Sequence, residues 1–116
     1  MFADPQVVTV NAVAQSMPRI QIDGLSAIYQ KSDLSFKLTL SHIPKSGRIR
    51  TMTRIDQRAI VADPLTNEND YETLSFYFVI DRPEYGFSQT QVDQLIAGLK
   101  TWLDTTASGK LFGMES

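Results

Sequence analysis

Arg48, Arg50, Arg54 and Arg58 fall within the segment Gly47–Val61, share one parity, and are four of the six arginines in the chain. In a strand, residues of one parity point to one face. The spacing therefore predicts a cationic face backed by Ile49, Thr51, Thr53 and Ile55 on the other side. Guanidinium groups in a row bind phosphates through charge and forked hydrogen bonds. From Leu34 to Ile60 the cations Lys37, Lys45 and the four arginines meet a single acid, Asp56. The whole chain nevertheless carries a formal net charge of -2, so positive charge is segregated onto this stretch. A polyanion is the partner such segregation suits.

Other chemistry has little to stand on. The chain has no cysteine and a single histidine, His42, which leaves no thiolate nucleophile, no thiol-ligated zinc and no multi-histidine metal site. It has no Gly-rich phosphate loop and no nucleophile elbow. The acidic stretch Asp63–Asp70 lacks the central Gly and terminal Glu of a calcium loop. Neither an enzyme nor a metal or organic cofactor is expected. Length and composition, 116 residues at 42% apolar content, suit one domain over 1–116 with a core of its own. The absence of cysteine suits a reducing cytoplasm. No apolar run reaches membrane-spanning length, and the start at Met1 lacks a basic region followed by an apolar one, so a soluble chain without leader or membrane partner is expected.

The elements that must position the arginines read as strands first and helix last. Gln6–Val13 alternates, Ala14–Pro18 breaks the pattern, and Arg19–Asp23 resumes it, which predicts a hairpin of these two runs. Asp23-Gly24 turns the chain into a strand over Leu25–Gln30. Ser35–Ile43 alternates Phe36, Leu38 and Leu40 against Lys37, Thr39 and Ser41, and Pro44–Gly47 supplies a turn before the arginine strand. After a polar loop at Asp63–Asp70, Tyr71–Asp81 alternates Leu74, Phe76, Phe78 and Ile80 against Tyr71, Thr73, Ser75 and Tyr77. Ser88 and Gln91 form a capping box for an amphipathic helix over about Gln89–Asp104. Thr105–Gly109 interrupts it, leaving at most one further turn or short helix at Lys110–Met114. The fold class is α+β.

One helix, about 10 Å across, covers roughly two or three strands spaced about 4.8 Å apart. This chain has more strand than that, so the apolar row Phe36, Leu38, Leu40, Leu74, Phe76, Phe78 and Ile80 is expected to be partly wet in a monomer. A second copy would cover it and continue the edge of the sheet. An intertwined homodimer follows, with Phe76, Phe78, Leu95, Leu99, Trp102 and Leu103 at its interface.

These residues carry a resemblance. Hairpin, third strand, Phe36-Lys-Leu-Thr-Leu-Ser41, Arg-rich strand, Pro/Asn loop, Tyr71-Glu-Thr-Leu-Ser-Phe-Tyr-Phe78 and amphipathic helix follow in the order seen in the coat proteins of small single-stranded RNA bacteriophages, the levivirus-like group. The opening Met1–Val13, the segment Ile60–Asn67 and the closing Gly113–Ser116 also resemble that group, so the likeness spans nearly the whole chain. It implies a five-stranded antiparallel sheet behind an N-terminal hairpin, with C-terminal helices that interlock over a partner subunit. Such dimers close into an icosahedral shell whose inner sheet face meets genomic RNA, giving a virion protein assembled in the bacterial cytoplasm. In some members a dimer also binds a replicase-start RNA hairpin as a translational repressor.

The resemblance also assigns roles. Thr39 and Ser41 match the pair at which an unstacked adenine docks, and Tyr71 matches the tyrosine that stacks on a base. Thr73 stands where Asn or Asp is frequent and offers a shorter side chain with a different donor pattern. Arg48, Arg50 and Arg54, with Arg58, correspond to the inward basic strand, and Lys37 on the neighbouring strand is a further candidate RNA-binding residue. Asp63, Pro64, Asn67, Asn69 and Asp70 correspond to a loop around the shell's symmetry axes. The same sheet would equally serve a free dimeric RNA-binding regulator that builds no shell.

Overall fold

The structure is a computed structural model and describes residues 2–62, 64–65 and 68–115. It divides into two compact units, Met1–Arg82 and Pro83–Ser116. The first holds a two-stranded hairpin, β1 (Gln6–Val10) and β2 (Val13–Met17), and a five-stranded antiparallel sheet. The sheet is a meander of β3 (Arg19–Asp23), β4 (Ser26–Gln30), β5 (Phe36–Lys45), β6 (Arg48–Ala62) and β7 (Asn69–Pro83), which leaves β3 and β7 at its edges.

The hairpin differs from the sequence expectation. Its strands are β1 and β2, and the stretch Ala14–Met17, expected to break the pattern, is its second strand. The turn is Asn11-Ala12, with both residues left-handed at φ 51° and 63°. Two-residue hairpin turns of this hand match the twist of their strands. Asparagine tolerates the conformation, but alanine does not advertise it, so the turn signal was weak. Holding an L-residue there costs roughly 1–2 kcal/mol. Ala12→Gly is therefore expected to stabilise the fold by about 0.5–1 kcal/mol, the gain being reduced by the freedom glycine adds to the unfolded chain. Denaturant unfolding at fixed protein concentration checks this, and an unchanged or lower midpoint counts against it.

The core lies between the hairpin and one face of the sheet. Met17, Tyr29, Phe36, Leu38 and Leu40 are buried, with Val8, Val10, Ala27 and Ile55 packed around them. Arg19 ties the N-terminal segment to this core: its Nε donates to the Tyr29 hydroxyl at 3.3 Å and its Nη2 to the Phe2 carbonyl at 2.8 Å. The buried Gln15 side chain accepts from Lys31 Nζ at 2.7 Å. Phe36, Leu38 and Leu40 are thus covered within the chain, contrary to their expected wetness. The rest of the expected row stays open: Leu74 is 70% exposed, Phe76 and Phe78 are also exposed, and Ile80 is half-buried.

β5 runs two residues further than expected, through Pro44 and Lys45, and turns at Ser46-Gly47 with φ 54° and 77°. His42 accordingly sits inside the strand, its Nδ1 3.0 Å from Thr51 Oγ1. β7 begins at Asn69, so Asn69 and Asp70 belong to a strand and not to the loop. Pro64 is in an exposed turn, while Asp63 and Asn67 lie outside the described residues.

The second unit contains α1 (Gln89–Trp102) and α2 (Thr105–Phe112). The Ser88 capping box forms as expected: Gln91 N donates to Ser88 Oγ at 3.3 Å and Ser88 N to Gln91 Oε1 at 2.9 Å. The short helix allowed after α1 forms, but it begins at Thr105 and takes in the stretch Thr105–Gly109 that was expected to be an interruption. Asp104 caps it by accepting from Ala107 N at 2.9 Å. Neither helix buries a residue: Leu95 is 77% and Trp102 58% exposed, Leu99 is exposed, and Leu103 is half-buried. Among the described residues no helix is long and apolar enough to cross a membrane.

Candidate nucleic-acid interface

The face of the sheet turned away from the core is set by register. β5 pairs Lys37 with Asp56, Thr39 with Arg54, Ser41 with Met52, Ile43 with Arg50 and Lys45 with Arg48. β4 places Gln30, Ile28 and Ser26 beside Lys37, Thr39 and Ser41. On β7, Tyr71, Ser75, Tyr77 and Asp81 meet the arginines, and Thr73 shares their parity. The face so formed gathers Lys37, Thr39, Ser41, Arg48, Arg50, Arg54, Tyr71 and Thr73.

The cations on it are not equivalent. Arg50 and Lys45 have no hydrogen bond or ion pair with any described residue. Arg48 donates through Nε to Asp81 Oδ1 at 3.0 Å, in a pair exposed on both sides, which contributes at most about 1 kcal/mol. Arg58 lies over the Tyr71 ring, its Cζ 4.1 Å from the centroid, a stacked arrangement of cation and aromatic ring. Arg54 is held along one edge of its guanidinium: Nε donates to Asp56 Oδ1 at 2.8 Å and Nη2 to Ser75 Oγ at 3.1 Å. Ser75 in turn donates a short hydrogen bond to the same Asp56 oxygen. Burial by itself pushes the Asp56 carboxyl up, but the hydrogen bonds from Ser75 and Arg54 and the charges of Arg54 and Lys37 outweigh it, so Asp56 lies below the ordinary aspartate value.

Lys45 and Arg48 are direct cross-strand partners next to a two-residue turn, and Arg50 follows on the same face. Like charges opposite one another destabilise a sheet. Their concentration here works against the stability of the free sheet, offset in part by Asp81 beside Arg48. The partners Asp81, Ser75 and Tyr77 were missed by the sequence analysis. Parity puts them on this face, but which arginine each reaches depends on the pairing of β6 with β7.

The Leu95, Leu99, Trp102 and Leu103 positions lie on the helical unit, and Phe76 and Phe78 on the open row of β7. Among the described residues no group of three or more His, Cys, Asp or Glu side chains is placed to hold a metal ion.

This arrangement of a two-stranded hairpin, a five-stranded antiparallel meander and two C-terminal helices is a fold shared with solved chains of levi-like virus and bacteriophage virus-like particles and a bacteriophage coat protein. The structure matches the virus-like particle of bacteriophage AVE019 with a TM-score of 0.81 at 11% sequence identity, over 96% of this chain and 94% of that one. It matches the virus-like particle of Beihai levi-like virus 21 with a TM-score of 0.74 at 11% identity, over 100% and 98% of the two chains. For the bacteriophage EMS014 coat protein the TM-score is 0.66 at 11% identity, over 86% and 72%. No family model matches the chain, and no curated protein sequence does.

Proposed function

We propose that this chain is the coat-protein subunit of a small single-stranded RNA phage, a non-enzymatic protein that dimerises, assembles into an icosahedral shell and holds RNA on the cationic face of its sheet. The observation that carries the reading is the near end-to-end correspondence of fold with chains that form virus-like particles. The open row of β7 and the uncovered helices give such a chain apolar surface to bury against a second copy. The turn at Pro64 and Leu65, with Leu65 92% exposed, is placed among the contacts between dimers in the shell. Expression of the chain alone, followed by size-exclusion chromatography and electron microscopy, tests the reading. Closed shells with excess absorbance at 260 nm are expected. A small dimer that binds RNA without forming shells would instead identify a free regulator.

Specific recognition of an RNA hairpin is placed at Thr39, Ser41 and Tyr71. Unstacked bases are read by stacking on aromatic rings or guanidinium planes and by small polar groups, and the Arg58–Tyr71 pair offers a stacked plane on the face that carries both hydroxyls. Tyr71→Ala is expected to cost about 1–3 kcal/mol toward the cognate hairpin and much less toward bulk RNA. Filter binding of the phage's replicase-start hairpin and a scrambled hairpin at fixed salt checks this. Equal affinity of the unsubstituted dimer for the two would leave packaging by charge as the function of the face.

A further inference from the structure

At the centre of the cationic face sits its one half-buried carboxylate. Asp56 is 16% exposed at its side chain, against 43% for its partner Arg54. It lies opposite Lys37 in the register and accepts from both Arg54 and Ser75. A face evolved only to hold phosphate would gain from a neutral residue here, because a fixed negative charge repels the ligand and occupies the guanidinium. We infer that Asp56, braced by Ser75, is a selectivity element for single-stranded RNA: it withdraws Arg54 from phosphate binding and fixes the guanidinium beside Thr39, so that binding depends more on base contacts and less on charge.

The geometry supports the inference. Arg54 has its Nε/Nη2 edge satisfied inside the protein and its charge is compensated by a carboxylate that solvent screens poorly. A phosphate could reach Arg54 only at Nη1 and the remaining Nη2 proton, and there it would meet a guanidinium whose charge Asp56 already compensates. Arg50, four residues away on the same face, has neither constraint. The cations available to phosphate are therefore Arg50 and Lys45 foremost, with Arg48 and Arg58 behind them, and Arg54 contributes position instead of charge.

This inference rests on the RNA-binding reading of the face, and its test separates the two. The full-length protein, freed of copurified nucleic acid, is titrated with an unstructured oligonucleotide and with the replicase-start hairpin across a salt series. Each phosphate contact on a single strand contributes about 0.7 to the slope of log K against log salt. Asp56→Asn, which releases Arg54 and Lys37, is expected to steepen the slope by roughly 0.7–1.4, to raise affinity for unstructured RNA about tenfold at low salt, and to narrow the preference for the hairpin. In the unsubstituted background, Arg54→Gln is expected to leave the slope unchanged while Arg50→Gln lowers it by about 0.7. That comparison stands even if Asp56→Asn folds poorly. An equal fall in slope for Arg54→Gln and Arg50→Gln, or an unchanged slope in folded Asp56→Asn, overturns the inference alone. An unsubstituted protein without salt-dependent RNA binding overturns the RNA face and the inference with it.

Discussion

Leu99→Asp is expected to abolish soluble particles and to leave no folded monomer in their place. In the single chain Leu99 is exposed, as are its neighbours Leu95 and Trp102 on the same helix. If the chain worked alone, a carboxylate there would shift stability by no more than about 0.5 kcal/mol, the usual effect of a surface substitution. The dimer reading gives the opposite result, because the helical face would be buried against a second copy and an unpaired buried charge costs several kcal/mol. Short helices are marginal without tertiary packing, and neither helix here buries a residue within its own chain. Folding and association would then be one event, with stability set by protomer concentration. Sedimentation of the soluble fraction, with Leu99→Met as the volume-conserving control, checks the expectation. A monodisperse, cooperatively melting Leu99→Asp monomer would show that the face serves no subunit contact.

Replacing Lys45, Arg48 and Arg50 together by Gln is expected to strip most copurifying nucleic acid from the particles while leaving the subunit folded. The three lie together at the tight turn between β5 and β6, with Lys45 directly opposite Arg48, and two of them have no ion pair with any described residue. Loss of three phosphate contacts would flatten the salt slope of RNA binding by about 2. Removal of the like-charge pair would favour the free sheet by a few tenths of a kcal/mol, which offsets the loss of the exposed Arg48–Asp81 pair. RNA affinity is thus expected to fall while protein stability holds, which a merely damaged subunit would not show. The ratio of absorbance at 260 and 280 nm, salt-titrated binding and a thermal melt measure all three. An unchanged salt slope would place RNA elsewhere on the molecule.

The sequence by itself determined what depends on neighbours along the chain. Side chains alternate across a strand whatever the strand pairs with, so the parity of Arg48, Arg50, Arg54 and Arg58 and the alternation of β5 and β7 divided the sheet into two faces. The Ser88–Gln91 box marked the start of α1 because its hydrogen bonds close within three residues. Local signals failed where an ordinary residue took an uncommon conformation or where a residue expected to end one helix caps the next. Ala12 turns left-handed without a glycine to announce it, and Asp104, expected at the end of the first helix, caps α2 through the stretch Thr105–Gly109 that was expected to be irregular. The tertiary structure alone decided which apolar residues stay wet. Folding the hairpin over β4 and β5 buries Phe36, Leu38 and Leu40 and leaves Leu74 and Phe76 open, although all five alternate alike in sequence. It alone also sorted the cations, giving Asp81 to Arg48, Asp56 and Ser75 to Arg54, Tyr71 to Arg58, and no side-chain partner among the described residues to Arg50. Parity assigns a face, whereas a partner requires the registers of β6 against both its neighbours, and these are fixed by contacts far apart in the chain.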